Sequence, residues 1–517
     1  MEGSNFFDRS IYFRELILKN NLLDFEKQKF GGKSLVCLFL TRFCGVGCPF
    51  CFFKSSPVWR KENIEDQFSD EGIEKVIKFA EKANLGYLLV SGGGEPLDKK
   101  RHILEIVKKI KTDQIVLVTS GNWAKNYSSA VNYLDALFHA FRERKSPTKL
   151  VVRLSVSKGH AIKLGTTPLV NLINIFDKFY SDQDNFVFQI KTFENDKTLR
   201  TAIKDIPEAE LSANYEGFTS DSEVLIKAIP KKFLLYLKGG FQIKVGVSKI
   251  FDSGLRPNLN APEKTQEGIE TFKHDLKRAE DYKPGVVFNS NGENGLDWWI
   301  NYNGNISNWQ NQIRDNDKNI YTNDHNDILS DTFKDPITYS IIDKGMQYRD
   351  RIISEIDPKA ILRAQAIGLR DFVGAITFQD YRNRLYFSIR ALQDYIDEKK
   401  IKKDSVLKWP TEIQNLVKTP KETLQKLYKD STFTVIEQEK LRSFNKTEWH
   451  DFLELLGLGH YEVNDLEVAE AIRHYNSLSG EKVQNITEIK SQIGRVEHRL
   501  TERLAHTSSA VQLGVNA

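Results

Sequence analysis

The chain has 517 residues, enough for two or three domains, and 40% of them are hydrophobic and 11% aromatic, which supplies a sizeable core. Lysine and arginine number 74 against 70 aspartates and glutamates, a formal net charge of +4, so composition gives no global field for a polyanion and no argument for nucleic acid. No run of about 18 apolar residues suggests a membrane span, Met1–Phe30 lacks the uninterrupted apolar region of a signal peptide, and four cysteines cannot build a disulfide framework.

Residues 5–24 read as an amphipathic helix, with Ile11, Glu15, Leu18 and Leu22 on related turns. From Ser34 onward, short apolar runs alternate with helical periodicity. Leu35–Leu40 reads as the first buried strand. Ser69 caps a helix whose face carries Ile73, Val76, Ile77 and Ala80. Tyr87–Val90 is the second strand, followed by a helical face of Ile103, Ile106, Val107 and Ile110. Ile115–Val118 is the third strand, with a helix from about residue 128 to 144; Leu150–Val156 is the fourth, with a helix over 168–180. Phe186–Ile190 is the fifth and, after an insertion, Phe241–Val247 the sixth. Strands alternating with helices imply right-handed βαβ units and a parallel sheet.

Directly after the first strand stands Cys44-Gly-Val-Gly-Cys48-Pro-Phe-Cys51. A loop this short can wrap three thiolates around one corner of an iron–sulfur cubane, leaving one iron open to a small molecule. Gly45 and Gly47 let the backbone come close. A structural zinc would usually take four Cys or His ligands. The fourth cysteine, Cys37, lies within the apolar run and reads as a small buried hydrophobe. Thiolate clusters need a reducing compartment, which points to the cytoplasm.

The cysteine spacing resembles that of the radical S-adenosylmethionine (SAM) superfamily. That resemblance implies an α/β fold, a partial (β/α)6 TIM-like barrel, with a [4Fe–4S] cluster held by Cys44, Cys48 and Cys51 and with SAM as cofactors. Sites in barrel folds form at the C-terminal ends of the strands, and each polar motif here follows the apolar run of a strand. Ser91-Gly92-Gly93-Gly94-Glu95-Pro96 resembles the family's GGE motif, which implies that Gly93, Gly94 and Glu95 hold the amino group of SAM. Ser120, in the polar turn Thr119–Asn122, and Arg153 and Ser155, on the fourth strand with Ser157 on the same face, stand where relatives hold SAM's ribose and carboxylate. Phe50 matches the aromatic position that relatives place near the adenine. Gln189, Lys191 and Glu194 close the fifth strand, as site residues or as a solvated strand end. The implied chemistry is reductive cleavage of SAM to a 5′-deoxyadenosyl radical that takes a substrate hydrogen, fed by an electron donor such as flavodoxin or ferredoxin.

Residues 256–320 are rich in Asn and Gly, and Leu296–Trp309 reads as a hairpin with a type I′ turn at Asn303-Gly304. It resembles the hairpin of SPASM or twitch extensions. Those normally carry cysteines for an auxiliary cluster, and this one has none. A hairpin packed on the barrel edge is the other reading.

From about residue 335 the pattern is mainly helical. Leu385, Ile389, Leu392 and Ile396 share one helix face, further helical blocks cover Thr423–Leu458 and Val463–Leu478, and His506–Ala517 reads as a disordered tail. The expected division is an N-terminal extension over 1–33, the barrel over 34–255, the SPASM-like module without cysteines over 256–334, and a helical C-terminal domain over 335–517. His102, His139, His160 and His460 receive no role, and no catalytic residue is named. The expected function is modification of a ribosomal peptide or another natural-product scaffold. The alternatives are a small substrate such as an amino sugar or nucleoside, and a non-catalytic metal-cluster binding protein.

Overall fold

The computed structural model describes residues 17, 30–48, 55, 67–193, 196–212, 231–248, 283, 285–289, 291–308, 318–356, 381–401, 403–409, 411–420 and 422. Apart from Ile17, which is helical and buried, the N-terminal helix expected over 5–24 lies outside the described residues. So do Phe50, Cys51, Glu194, Trp309, the blocks after Thr423 and the C-terminal tail.

The strand–helix alternation is realised almost as the apolar runs dictate. In chain order come β1 (Ser34–Phe39), α1 (Asp70–Lys82), β2 (Leu85–Ser91), α2 (Lys100–Lys109), β3 (Gln114–Thr119), α3 (Tyr127–Arg142), β4 (Lys149–Ser155), α4 (Lys158–Leu164), α5 (Thr167–Phe179), β5 (Phe186–Phe193) and α6 (Thr198–Ile203). Then follow β6 (Glu210–Leu211), β7 (Lys231–Tyr236) and β8 (Gln242–Ser248). The capping serine expected before α1 is in place: the Ser69 side chain accepts the Gly72 N–H at 3.1 Å.

β1 to β5 pair parallel in sequence order, and β8 pairs parallel with β5. The face of each strand that turns toward the outer helices is apolar because those helices cover it. Val36, Leu38, Leu88, Val90, Ile115, Leu117, Val152, Leu154, Phe188 and Ile190 join Ile73, Val76, Ile103, Ile106, Leu134 and Phe176 of the outer helices in one core. The residues between them face the interior of the curved sheet. One such row is Cys37, Leu89, Val116, Val151 and Val187, linked by direct register from β1 to β5.

Three features differ from the expectation. First, the expected sixth strand is β8, which also carries β7 antiparallel on its outer edge, with β6 antiparallel to β7. Second, Ser157 is not on the β4 face with Arg153 and Ser155: β4 ends at Ser155, and Ser157 turns to cap α4, its oxygen accepting the His160 N–H at 3.4 Å. A serine whose hydroxyl offers the first turn an acceptor competes well with strand continuation. Third, the 294–308 hairpin adds to the barrel sheet itself. β9 (Val286–Phe288), β10 (Asn294–Ile300) and β11 (Ile306–Asn308) form, β10 pairs parallel with β1 on the side away from β2, and β9 and β11 pair antiparallel with β10. The path of the sheet ends at β11 and at β6, so the barrel is not closed.

The hairpin turn is not type I′. The Gly304 N–H donates to the Asn301 carbonyl at 2.8 Å, so Tyr302 and Asn303 are the central residues. Gly304 follows with φ +83°, while Asn303 is not among the residues of positive φ. This is the three-residue loop in which a glycine in the left-handed region closes the turn.

The helical region packs onto the same core. α7 (His325–Lys334) is capped by Asp324 and sets the His325 ring 5.1 Å from Phe79 of α1. α8 (Pro336–Lys344), α9 (Met346–Ser354), α10 (Tyr381–Asp397), α11 (Lys403–Val406) and α12 (Thr411–Lys418) follow. In α10, Leu385, Ile389 and Leu392 are buried and Ile396 packs against the core, as the periodicity predicts. Among the described residues no helix is long and apolar enough to cross a membrane.

Candidate active site at the strand ends

The segment that follows β1 is gathered at its neck. The Phe68 N–H donates to the Leu40 carbonyl at 3.0 Å and Thr41 bridges to Gln67, so the chain leaves and re-enters the barrel mouth at one point. Inside the neck the stem of the cysteine loop lies against the glycine-rich turn after β2. The Glu95 N–H donates to the Phe43 carbonyl at 2.8 Å. Gly94 must be glycine here: a Cβ would sit 1.9 Å from the Phe43 oxygen and 2.8 Å from the Thr41 oxygen. Gly93 combines φ +96° with a close approach to the Thr41 oxygen, and Tyr302 of the hairpin turn lies beyond it. The glycines of this motif therefore seat the cysteine loop.

The loop itself touches the next two strand ends. A Cβ on Gly45 would meet the side-chain amide of Asn122, after β3, at 3.3 Å. Val46 and Cys48 are buried together with Leu164 of α4, and Cys44 packs against that cluster. The ends of β1, β2 and β3 and the helix after β4 thus converge on the described cysteines. Cys37, Cys44 and Cys48 form no disulfide among the described residues. Among those residues no three His, Cys, Asp or Glu side chains gather as a metal-binding group. Two thiols on one short loop, with its backbone clamped on both sides, suit a soft thiolate-ligated cluster.

Glu95 is fully buried, and its carboxylate is saturated. One oxygen accepts the Thr119 hydroxyl at 2.7 Å and the Leu97 N–H at 3.2 Å; the other accepts the Ser120 N–H at 2.7 Å and the Ser120 hydroxyl at 2.5 Å. Burial pushes its carboxyl above the usual range, against the hydrogen bonds from Ser120 and Thr119. The structure therefore brings Glu95 and Ser120 into direct contact and locks β2's turn to β3's. Thr119 extends the network by accepting the Gly121 N–H at 3.0 Å and the Trp123 indole N–H at 2.9 Å.

Ser120 and Ser155 line one open pocket together with Ser157, His160, Leu164 and Thr166. His160 was given no role from the sequence. Its Nδ1 lies 2.8 Å from the Ser157 hydroxyl, and burial lowers its imidazole to about 4, opposed by the charge of Asp196. The signal that could have found it is the spacing Ser157-Lys-Gly-His160, a helix cap three residues before a side chain able to return the bond.

Arg153 sits deeper. Its Nε and Nη2 donate to the Gln189 side-chain oxygen at 3.3 and 3.1 Å, across the register pair Arg153↔Gln189. Burial pushes the Tyr87 phenol of β2 up, and the charge of nearby Arg153 opposes the shift. Lys191, in register with Ser155, stands diagonally beside Arg153.

These features agree with a comparison against known families. Residues 38–143 match the family model of the Radical SAM superfamily, over β1 to α3 and therefore over the cysteine loop and the glycine-rich turn. Residues 38–143 are thus a radical SAM domain, and such a domain indicates a radical SAM enzyme. The family implies a [4Fe–4S] cluster and S-adenosylmethionine as cofactors, and its enzymes need a substrate and a reductant. No curated protein matches the chain closely.

Proposed function

We propose that the chain holds a single [4Fe–4S] cluster through Cys44, Cys48 and Cys51 and abstracts a hydrogen atom from a ribosomal peptide or another natural-product scaffold seated in the barrel interior. The observation that carries the reading is the clamp on the cysteine loop by Gly94, Glu95, Asn122 and Leu164 at the strand ends. When bound, the cluster and SAM supply reductive cleavage of the sulfonium and hydrogen-atom transfer; the rest is the chain's own work. Gly93 and Gly94 bring backbone close to the cofactor side of the loop. Glu95 pins Ser120 and the turn whose Gly93 and Gly94 backbone would meet the SAM ammonium, Ser155 offers a hydroxyl, and Phe50 stands next to Cys51 in sequence for the adenine. The barrel wall excludes water from the reacting carbon. Flavodoxin or ferredoxin would supply the electron, and the cytoplasm would keep the thiolates reduced.

The proposed domain limits remain 1–33, 34–255, 256–334 and 335–517, with the hairpin module serving the barrel edge beside β1. A small molecule such as an amino sugar or nucleoside is the second reading, and the polar interior wall of Arg153, Gln189 and Lys191 favours it. The test is anaerobic incubation of the reconstituted protein with SAM, reductant and either the peptide-rich or the small-molecule fraction of a host extract grown in deuterated medium. Deuterium entering 5′-deoxyadenosine from the peptide fraction supports the first reading, from the small-molecule fraction the second. Deuterium from neither overturns both.

A further inference from the structure

We propose that the outer face of α4, with the turn after β3 beside it, is the docking surface for a small acidic protein that delivers single electrons to the cluster. The inference rests on the reading that the cysteine loop holds a cluster reduced from outside.

Position comes first. Leu164 of α4 is buried with Cys48 and Val46, and Cys44 packs against the same cluster. Ile162 lies two residues earlier, about 200° around the helix, and is 69% exposed. A body seated on Ile162 is therefore separated from the Cys48 side by one helix, about 10–12 Å across. Lys158, four residues before Ile162, shares its side of the helix and is exposed. The turn after β3 borders the cysteine loop as well. A Cβ on Gly45 would meet the Asn122 amide at 3.3 Å, and three residues further on the Lys125 ammonium lies 3.5 Å from the Lys163 carbonyl.

Charge gives the sign of the partner. The whole chain is close to balance, 74 basic residues against 70 acidic, yet neither Gln114–Leu134 nor Ser146–Phe176 contains an Asp or Glu. Those stretches carry the exposed Lys125, Lys158 and Lys163 of this face. α6 borders α4, since Thr198 and Ala202 line one pocket with His160, Ala161 and Leu164, and exposed Lys197 precedes it. Asp196 stands at this junction, but its two oxygens accept the Lys158 N–H at 2.7 Å and the Thr198 N–H at 2.8 Å, serving the starts of two helices. His160, lowered to about 4, is neutral near pH 7 and adds no charge. An exposed isoleucine rimmed by lysines has the apolar centre and charged rim of a protein interface, and its field speeds encounter with an acidic partner.

The rim is also preformed. The Asn171 amide donates to the Ala124 carbonyl at 2.9 Å and to the Lys125 carbonyl at 3.3 Å, and the Trp123 indole is tied to Thr119. A surface already ordered pays little entropy on docking. In the step it serves, the reduced carrier loses one electron and the cluster gains it; no bond forms or breaks.

Flavodoxin is the probe, titrated anaerobically into the reconstituted holoenzyme. Wild type is expected to bind it saturably, and more weakly as salt rises. Lys125→Glu with Lys163→Glu, and separately Ile162→Asp, should each weaken binding by about tenfold or more. Both should slow flavodoxin-driven formation of 5′-deoxyadenosine while iron content and the dithionite-driven rate stay at wild type. Lys145→Glu with Lys178→Glu makes the same change in charge before β4 and β5, at the opposite end of the barrel, and should leave binding within about twofold. Four results overturn the proposal: no saturable binding of flavodoxin to wild type, equal losses in the α4 and control variants, a parallel fall in the dithionite-driven rate of the α4 variants, or displacement of flavodoxin by a short RNA held more tightly by the same lysines. Wild type inactive with dithionite would instead strike the radical reading, and because flavodoxin binding is read without turnover the two failures are distinct.

Discussion

Replacing Gly94 by alanine tests whether the glycine-rich turn seats the cysteine loop. The added methyl would start 1.9 Å from the Phe43 carbonyl oxygen and 2.8 Å from that of Thr41. A relaxed carbon–oxygen contact is about 3.3 Å, so the turn and the stem must separate by about 1.4 Å. Both obstacles are backbone atoms and cannot rotate aside. The separation breaks the 2.8 Å bond from the Glu95 N–H to the Phe43 carbonyl. Overpacking of this kind costs about 1–3 kcal/mol and the lost hydrogen bond about 1 kcal/mol more. Gly94→Ala should therefore stay folded, lower the guanidinium midpoint, and bind markedly less iron per chain on anaerobic reconstitution. Gly31→Ala, whose Cβ would meet open space, is the control and should match wild type. Full iron content and an unchanged midpoint in Gly94→Ala would refute the reasoning.

Glu95→Gln keeps the shape but turns one acceptor oxygen into a donor facing the Ser120 or Thr119 donors, so stability should fall by about 1–3 kcal/mol and SAM affinity with it, read by denaturation and anaerobic titration. His160 stays neutral in the fold down to about 4, while the unfolded chain takes up a proton near 6.5. The unfolded state binds more protons across that window, so stability drops as pH falls from 6.5 to 4, by up to about 3 kcal/mol. His160→Gln should flatten this acid limb in denaturation curves. Gly304→Ala must place a side chain at φ +83° against the Asn319 amide and the Tyr321 ring, a cost of about 1–3 kcal/mol visible in the thermal midpoint.

How much was legible in the sequence varied with how local the signal was. The runs Leu35–Leu40, Ile115–Val118 and Leu150–Val156 became strands because the helix-covered face of the sheet demands apolar residues, and Ser69 capped its helix because the cap is a local bond. The pairing of β10 with β1 was not legible: it joins Leu35 to Asp297 and Cys37 to Trp299 over a long stretch of chain, and nothing in either segment encodes the partner. β7 was missed because Lys231-Lys-Phe-Leu-Leu-Tyr follows a long insertion and forms against β8 rather than by its own pattern. Asn303-Gly304 was read as a two-residue turn, but the turn's length is set by the Ile300↔Ile306 pairing, which tertiary register fixes. At the site, the cysteine spacing and the glycine run were visible as motifs, whereas the contacts of Gly94 with Phe43 and of Arg153 with Gln189 exist only once strands are side by side. Ser157 shows the limit of period-two reasoning at a strand end, where a capping hydroxyl diverts the chain.

The central claim is that Cys44, Cys48 and Cys51 together hold the cluster that drives SAM cleavage. The most direct measurement is the yield of 5′-deoxyadenosine from SAM and reductant by the anaerobically reconstituted protein, beside single Cys→Ala variants at those positions and at Cys37. The account predicts product from wild type and from Cys37→Ala, and none from any of the other three. Product from Cys48→Ala at the wild-type level, or none from wild type carrying a verified cluster, would contradict it.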